Sequence, residues 1–188
     1  MNPRFNRLKA DYEKIRELAE RSQFIDILST EGQPPEKYVL LLKFRSITGV
    51  NQDGQPVFST QHQLGIHLHQ EYPRRKPTFM MLTNVFHPNI AGNGDICIGD
   101  DGDHGFAPNM GLDELVIRII QMIRFENIGF ERPYNTLAAN WAKQHQSIFP
   151  LDTSQIITEE EPYIKIENQD INIIIGDDSV DDLGIVIS

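Results

Sequence analysis

Hydrophobic residues near the start of the chain recur every three or four positions, which places them on one face of a helix. This pattern predicts a helix over residues 3–21, with Asn2 as its cap and Pro3 in its first turn. The apolar face consists of Phe5, Leu8, Tyr12, Ile15, Leu18 and Ala19. The opposite face is charged, so we expect this helix to lie on the surface of a domain.

Segments with the two-residue alternation of β-strands follow this helix. The clearest is 63–70, in which Leu64, Ile66 and Leu68 alternate with polar residues or glycine. The four predicted strands are 23–29, 38–48, 63–70 and 78–83. No helical pattern interrupts them, so the sequence predicts a four-stranded antiparallel meander within an α+β fold.

A long segment without periodicity, residues 84–110, interrupts the regular pattern. It contains five glycines, two prolines and four aspartates. A loop of this length inside a compact domain usually carries function. Two C-terminal helices are predicted after it, over 111–127 and 135–146. The residues of the second helix that we expect to face inward are Leu137, Ala138, Trp141 and Ala142.

The negative charge of the chain is concentrated at its C-terminal end. With 188 residues, of which 39% are hydrophobic, the chain can form one domain with a substantial core. Residues 1–150 contain 17 acidic and 16 basic residues, whereas residues 151–188 contain 10 acidic residues and one lysine. Neither part has the basic stripe of a nucleic-acid-binding protein. We therefore predict a nearly neutral domain over 1–150 and an acidic, aliphatic extension over 151–188.

The single cysteine, Cys97, excludes an internal disulfide and a metal site built from several cysteines. No apolar run approaches the roughly 20 residues that span a bilayer, and the charged N-terminus does not resemble a signal peptide. His67 and His69 share one strand face without a suitably spaced third metal ligand, so we expect a solvent-facing pair. These features predict a cytoplasmic protein with no metal, no cofactor and no membrane contact.

The aperiodic segment contains the most informative motif of the chain. Residues 87–89 are His-Pro-Asn, and Cys97 follows eight positions after Asn89. Further matching features are Tyr72-Pro73 and Pro77 upstream, and residues 106–108 and Pro133 downstream. Together with the order of elements, these motifs resemble the ubiquitin-conjugating enzyme (E2) family over about residues 3–147. The resemblance implies a UBC-like fold in which the aperiodic segment is the active-site loop.

The resemblance implies that Cys97 is the catalytic nucleophile. It would accept a ubiquitin-like protein as a thioester from an E1-like activating enzyme and pass it to a protein or other amine acceptor. Asn89 is implied to stabilise the oxyanion of this transfer, a role worth roughly 3–4 kcal/mol for one donor. His87 and Pro88 are implied to be structural, because the ring holds the loop through hydrogen bonds and the proline stiffens it.

Many E2 enzymes place an acidic residue near the thiol to assist the incoming amine, and this chain departs from that pattern. Glu131 precedes Arg132 where the family has two aspartates, so Glu131 is one candidate. Asp101, with its neighbours Asp100 and Asp103, is the alternative on the loop after the cysteine. Arg132 has the wrong charge to attract a lysine, so an acceptor other than a protein lysine stays open.

Two surfaces are relevant to partners. In E2 relatives the first helix helps to bind the E1, so Arg4, Arg7 and Lys14 are candidate docking residues, with a solvated charged face as the alternative. Arg74 stands where many E2 enzymes have a phenylalanine for E3 docking, so we do not expect the usual E3 mode. By analogy, this divergence resembles the E2-like proteins of bacterial ubiquitin-like conjugation operons, some of which act in antiphage defence.

Three functions are compatible with these residues. The first is an active E2-like carrier, and the second is a non-catalytic adaptor for a ubiquitin-like protein, although such adaptors lack the cysteine. The third is a cysteine hydrolase with His87 as the base for Cys97, but no acidic residue is evident to orient that base. The aliphatic runs of the extension are interpreted either as extra or interface strands, or as motifs that add a strand to a ubiquitin-like partner.

Overall fold

The computed structural model describes residues 2–99, 106–126, 128–130 and 132–157. Helix α1 spans Pro3–Glu20, and the side chain of Asn2 caps it by accepting a hydrogen bond from the Arg4 amide at 3.0 Å. Leu8 and Ile15 are buried on its inner face. The helix and its cap agree with the prediction from periodicity. The predicted apolar face is confirmed from Leu8 onward but is wrong for Phe5, whose side chain is 50% exposed near the start of the helix.

A four-stranded antiparallel sheet forms the centre of the domain. Its strands are β1 (Ile25–Gly32), β2 (Pro35–Leu42), β5 (His62–His67) and β6 (Thr78–Met81), in the order β1-β2-β5-β6. The predicted meander is thereby confirmed, with one insertion. Strands β3 (Ser46–Val50) and β4 (Pro56–Ser59) form a separate two-stranded hairpin between β2 and β5.

The prediction of one continuous strand over 38–48 is wrong, because the chain leaves the sheet after β2. The Arg45 amide donates a hydrogen bond to Asp152 Oδ2 at 3.0 Å rather than to a neighbouring strand. The Ser46 hydroxyl donates to the carbonyl of Ile123 at 2.8 Å. Both partners belong to the C-terminal part of the chain, so local alternation could not reveal the break. Strand β4, with four residues, is too short to show a pattern.

Helix α2 (Leu112–Ile123) packs with α1 over one face of the sheet. Leu115 and Ile119 are fully buried in the resulting core. The helix ends earlier than the predicted range of 111–127, because Phe125 adopts a left-handed backbone conformation with φ +62°. A residue in this conformation cannot continue an α-helix, and the buried ring of Phe125 holds the chain in this turn.

Helix α3 (Thr136–Gln144) is capped by Asn135, whose Oδ1 accepts a hydrogen bond from the Ala138 amide at 3.0 Å. A short 3-10 helix (Gln146–Ile148) follows it. The inner face of α3 consists of the buried Ala138, Ala139 and Ala142 and the partly buried Trp141. The prediction that Leu137 faces inward is wrong, since its side chain is 76% exposed. It lies beside this stripe on the helical wheel, not within it.

A buried polar network joins α1 to the start of α2. Asp11 accepts hydrogen bonds from the Tyr72 hydroxyl at 2.6 Å, from Arg7 Nε at 2.7 Å and from the Leu112 amide at 3.2 Å. Gly111, at the N-cap of α2, has no side chain, so Asp11 supplies the capping oxygen from another helix. Burial and the charge of Asp11 raise the pKa of Tyr72, which keeps its hydroxyl protonated as a donor.

The last described segment packs on the domain. The Leu151 amide donates to the Arg124 carbonyl at 2.8 Å, and Arg124 Nε donates to the Asp152 carbonyl at 2.6 Å. The predicted extension therefore begins on the surface of the domain. Residues 158–188 lie outside the described part, so both interpretations of their aliphatic runs stay predictions. In the described ranges no helix is both long enough and apolar enough to cross a membrane.

Candidate active site

The two residues predicted for catalysis lie on opposite arms of a tight hairpin. The Cys97 amide donates to the Asn89 carbonyl at 2.9 Å, and the Ala91 amide donates to the Asp95 carbonyl at 2.9 Å. Between these two pairs, Ile90 and Ile96 form an antiparallel bridge. This register places Asn89 directly opposite Cys97, where Cβ atoms of an antiparallel pair are about 5 Å apart. The fold therefore brings the two side chains together.

One arm of this hairpin is attached to strand β6. The Met81 amide donates to the Gly94 carbonyl at 2.8 Å, and the Ile96 amide donates to the Phe79 carbonyl at 3.3 Å. Gly94 has φ +93°, and a Cβ atom there would lie 2.2 Å from the Met81 carbonyl oxygen. This position therefore requires glycine. Gly92, near the tip of the hairpin, has open space around it instead.

His87 lies under the hairpin and is fully buried. Its Nδ1 accepts a hydrogen bond from the Asn89 amide at 3.0 Å, and its ring packs edge-to-face on Phe125 at a centroid distance of 4.4 Å. Burial lowers the pKa of His87 to about 3, so the ring is neutral at physiological pH. Within the described ranges no hydrogen bond joins His87 to Cys97. This geometry fits a structural role and disfavours the hydrolase interpretation.

The His-Pro-Asn motif of residues 87–89 is also attached to helix α3. The Pro88 carbonyl accepts a hydrogen bond from the Asn135 amide at 3.0 Å, which fixes the helix cap against the hairpin. The side chain of Asn89 is partly buried, and its Oδ1 has no partner among the described groups. Its Nδ2 faces the backbone of Gly129, where a Cβ atom would approach it to 3.5 Å. The Gly129 backbone thus confines the side-chain amide of Asn89.

A groove is lined by Asp95, Ile96 and Ile98, the neighbours of the partly exposed Cys97, and Cys97 itself is not part of its lining. Its walls include the basic Lys76, the aromatic Tyr134 and the acidic Asp95. Lys76 Nζ donates to the Gly99 carbonyl at 3.2 Å. This bond ties the basic turn before β6, which consists of Arg74, Arg75 and Lys76, to the backbone two positions after the cysteine.

The two histidines of β5 and its extension differ in environment. His67 is exposed, but His69 is partly buried, and its Nε2 donates to the Lys76 carbonyl at 2.7 Å. The expectation that both face solvent is therefore wrong for His69, because the neighbouring basic turn covers it. Over the part of the chain that the structure describes, no three possible ligands are placed to hold a metal ion.

The three candidate docking residues of α1 take part in contacts within the domain. Arg4 pairs with Glu36 at 2.8 Å, and Arg7 belongs to the buried network described above. Lys14 lies 3.5 Å from Asp113 and is nearly half exposed. These contacts hold α1 on the domain, and a role of the three residues in E1 docking stays a prediction.

The predicted acidic candidates, Glu131 and Asp101 with Asp100 and Asp103, lie outside the described residues. The sequence interpretation overlooked another acid, Asp95, which precedes Cys97 by two positions on the same arm of the hairpin. Two side chains that are two positions apart in sequence lie on the same side only when the segment is extended. The aperiodic composition of 84–110 gave no sign that this arm is extended.

The segment from the end of β2 almost to the end of the described chain matches a known family. Residues 42–156 match the family model of the ubiquitin-conjugating enzymes. The chain belongs to this family. The family model covers β3 to β6, the hairpin with Cys97, and both C-terminal helices, so the UBC-like α+β fold expected from the sequence is confirmed.

Individual E2 enzymes are similar over shorter stretches. Ubiquitin-conjugating enzyme E2 S of Drosophila persimilis is 27% identical over 99 residues, which are 50% of this chain and 47% of the relative. The E2 S of Branchiostoma floridae is 26% identical over 107 residues, 54% of this chain and 50% of the relative. This chain thus spans about half the length of these relatives. The structure of human ubiquitin-conjugating enzyme E2 G1 aligns with TM-score 0.46 and 18% identity, covering 61% of this chain and 92% of that one.

Proposed function

We propose that this E2 family member carries a ubiquitin-like protein as a thioester on Cys97 and transfers it to an amine acceptor. The observation that carries the proposal is the placement of the partly exposed Cys97 directly opposite Asn89 on one hairpin. A thioester carrier needs an accessible thiol, and the oxyanion of the transfer needs a hydrogen-bond donor beside it. The two residues supply these groups from backbones that are hydrogen-bonded to each other.

In the loading step the Cys97 thiolate attacks the carbonyl carbon of the thioester between the ubiquitin-like protein and its E1-like enzyme. A new carbon–sulfur bond forms, and the E1 thiolate leaves. No side chain in the described part of the chain is hydrogen-bonded to the Cys97 thiol, so no base activates that thiol directly. This suits a carrier, because a base paired with the thiol, like the histidine of a cysteine hydrolase, would also activate water against the thioester.

In the transfer step the acceptor amine attacks the same carbonyl carbon, and Asn89 donates a hydrogen bond to the resulting oxyanion. His87 contributes indirectly. Its neutral ring accepts a hydrogen bond from the Asn89 amide and so holds the Asn89 backbone in place. The intermediate collapses to the amide and the Cys97 thiolate as the attacking nitrogen gives up its proton. His87 is fully buried, so it is not the acceptor of that proton.

The proposal implies three macromolecular partners: a ubiquitin-like protein, an E1-like activating enzyme, and a protein or other molecule with an acceptor amine. Arg74 is exposed on the turn before β6, so this surface lacks an aromatic anchor for E3 docking in the usual mode. By analogy with divergent E2-like proteins, we propose that the chain is encoded in a bacterial ubiquitin-like conjugation operon. Its proposed role is antiphage defence in the cytoplasm.

A loading assay tests the carrier function. The purified chain is incubated with its cognate E1-like enzyme, ATP and the ubiquitin-like protein, and adducts are resolved without reducing agent. We expect one adduct that dithiothreitol cleaves. Cys97→Ser should form an ester that resists thiols, and Cys97→Ala should form none.

Other outcomes distinguish the remaining functions. If the wild-type chain forms no thiol-sensitive adduct, the carrier proposal is wrong. Stable non-covalent binding of the ubiquitin-like protein by wild type and Cys97→Ala alike would then identify an adaptor. Hydrolysis of small esters that depends on Cys97 and needs no E1-like enzyme would identify a hydrolase.

A further inference from the structure

Asp95 occupies a position from which its carboxylate can reach an acceptor amine at Cys97. Both residues lie on the second arm of the active-site hairpin, and the backbone bonds of Asp95 to Ala91 and of Cys97 to Asn89 show that this arm is extended. Side chains two positions apart on an extended segment point to the same side, about 7 Å apart along the chain. A lysine head group fits between two such side chains.

The local contacts hold this carboxylate in a defined orientation. Asn93 Nδ2 donates to Asp95 Oδ2 at 2.8 Å, and the Asp95 amide donates to Asn93 Oδ1 at 3.1 Å. An antiparallel bridge to Met80 fixes the Asp95 backbone against β6. One carboxylate oxygen is therefore engaged, and Oδ1 has no partner within the described part of the chain.

The groove around Asp95 increases the importance of its charge. Among the described residues that line it, Asp95 is the sole carboxylate, whereas Arg75 and Lys76 are both basic. Arg75 pairs with Glu71, and Lys76 donates to a backbone carbonyl, so both cations already have partners within the domain. An ammonium group at the edge of this groove next to Cys97 therefore finds one carboxylate in the described lining, that of Asp95.

We propose that Asp95 is a catalytic residue that binds the incoming ammonium and accepts its proton. This inference rests on the proposed carrier function. The carboxylate takes one proton from the ammonium, the nitrogen lone pair attacks the thioester carbonyl carbon, and a carbon–nitrogen bond forms. The attacking nitrogen, which is positively charged after attack, gives its second proton to water, and the carbon–sulfur bond breaks with its electron pair on Cys97. Asp95 then releases the first proton to water or to the thiolate.

A single-turnover discharge experiment tests this role. The thioester is formed first, the E1-like enzyme is stopped by removal of ATP, and either free lysine or hydroxylamine is added. We expect Asp95→Asn to load normally and to discharge to lysine about 10²- to 10⁴-fold more slowly at pH 7. Discharge to hydroxylamine, which is uncharged at that pH, should stay at the wild-type rate.

Raising the pH supplies a second readout. Free lysine loses its proton near pH 10.4, so the difference between Asp95→Asn and wild type should shrink between pH 7 and pH 9.5. Asp95→Glu, which keeps the carboxylate, should recover part of the lysine rate. Asp53→Asn, which removes an exposed carboxylate from the turn between β3 and β4, serves as the matched control and should not change discharge.

Three results would overturn the inference while leaving the carrier function intact. They are an unchanged lysine rate in Asp95→Asn, an equal slowing towards lysine and hydroxylamine, and a lysine-selective defect in Glu131→Gln or Asp101→Asn instead. Failure of the wild-type chain to form any thioester would refute the carrier function itself. The loading step therefore separates the two failures.

Discussion

At the scale of single residues, Asn89 and Cys97 are adjacent but contribute to different steps. Asn89→Ala removes the donor for the oxyanion and leaves the thiol in place. We expect discharge to an amine to slow by about 10²- to 10³-fold. Loading should change little, because its nucleophile is a thiolate, which is stronger than the amine that attacks in discharge. The effect is measured as the rate at which pre-formed thioester disappears after lysine is added. An unchanged discharge rate would exclude the proposed role.

The buried His87 makes the stability of the domain depend on pH. Its folded pKa of about 3 lies below the value of about 6.5 in the unfolded chain, so the unfolded state binds a proton first as the pH falls. The stability associated with this neutral ring is complete above pH 6.5 and decreases as the pH falls towards 3. Between pH 7 and pH 5 the wild type should lose about 2 kcal/mol more than His87→Asn.

Urea unfolding at the two pH values measures this difference. His67→Asn, which removes an exposed histidine, is the matched control and should show the wild-type pH dependence. Parallel pH profiles for wild type and His87→Asn would contradict a strongly lowered pKa for His87.

Single residues differ in how far the sequence could predict them. The spacing between Asn89 and Cys97 indicated a shared site, because it belongs to a motif with known consequences. Asp95 could not be assigned in the same way, because its relation to Cys97 depends on an extended arm held by hydrogen bonds to β6. The packing of Gly129 against Asn89 was equally hidden, since the two lie 40 positions apart in sequence.

At the scale of elements, the hairpin that carries the site depends on its attachment to β6. Gly94→Ala forces a side chain into positive φ and against the Met81 carbonyl, so the arm must separate from the strand. The conformational cost alone is about 1–2 kcal/mol, and the steric clash adds to it. We expect a loss of at least about 2 kcal/mol in the free energy of unfolding, together with slower thioester formation.

The same hairpin offers a control for this prediction. Gly92→Ala adds a methyl group where no atom lies within 4 Å, so the free energy of unfolding should change by no more than about 0.5 kcal/mol. Thermal unfolding of both variants compares the two positions directly. Equal stability of Gly94→Ala and Gly92→Ala would show that the contact with β6 does not hold the arm.

The elements themselves were predictable where one local pattern decides the structure. Helix α1 and strands β5 and β6 follow from periodicity, because each buries one face against the same core. The end of β2 did not follow, since Arg45 and Ser46 are drawn away by Asp152 and by the end of α2. The inserted hairpin of β3 and β4 has mainly exposed or half-exposed residues, so burial imposes no alternation on it.

At the scale of the whole molecule, one turn connects the surface of α1 to the active site. At its first residue, Tyr72 donates to the buried Asp11 of α1. At its far end, Lys76 donates to the Gly99 carbonyl beyond the cysteine. Arg7 extends the network by donating to the Pro108 carbonyl at 2.6 Å, on the chain that returns to α2. The N-terminal helix, the basic turn and the segments on both sides of the site are therefore joined through polar contacts.

Asp11 is the centre of this connection, and its removal should affect the whole domain. Asp11→Ala leaves the Arg7 charge, the Tyr72 hydroxyl and the first amide of α2 without their acceptor, so we expect a loss of about 3–5 kcal/mol in the free energy of unfolding. Arg16→Ala on the same helix breaks only exposed ion pairs and should cost no more than about 1 kcal/mol. Urea unfolding at pH 7 compares the two. Adding Arg7→Met to Asp11→Ala should recover part of the loss, because it removes the charge left unpaired. If Asp11→Ala is as mild as Arg16→Ala, the buried network does not stabilise the domain.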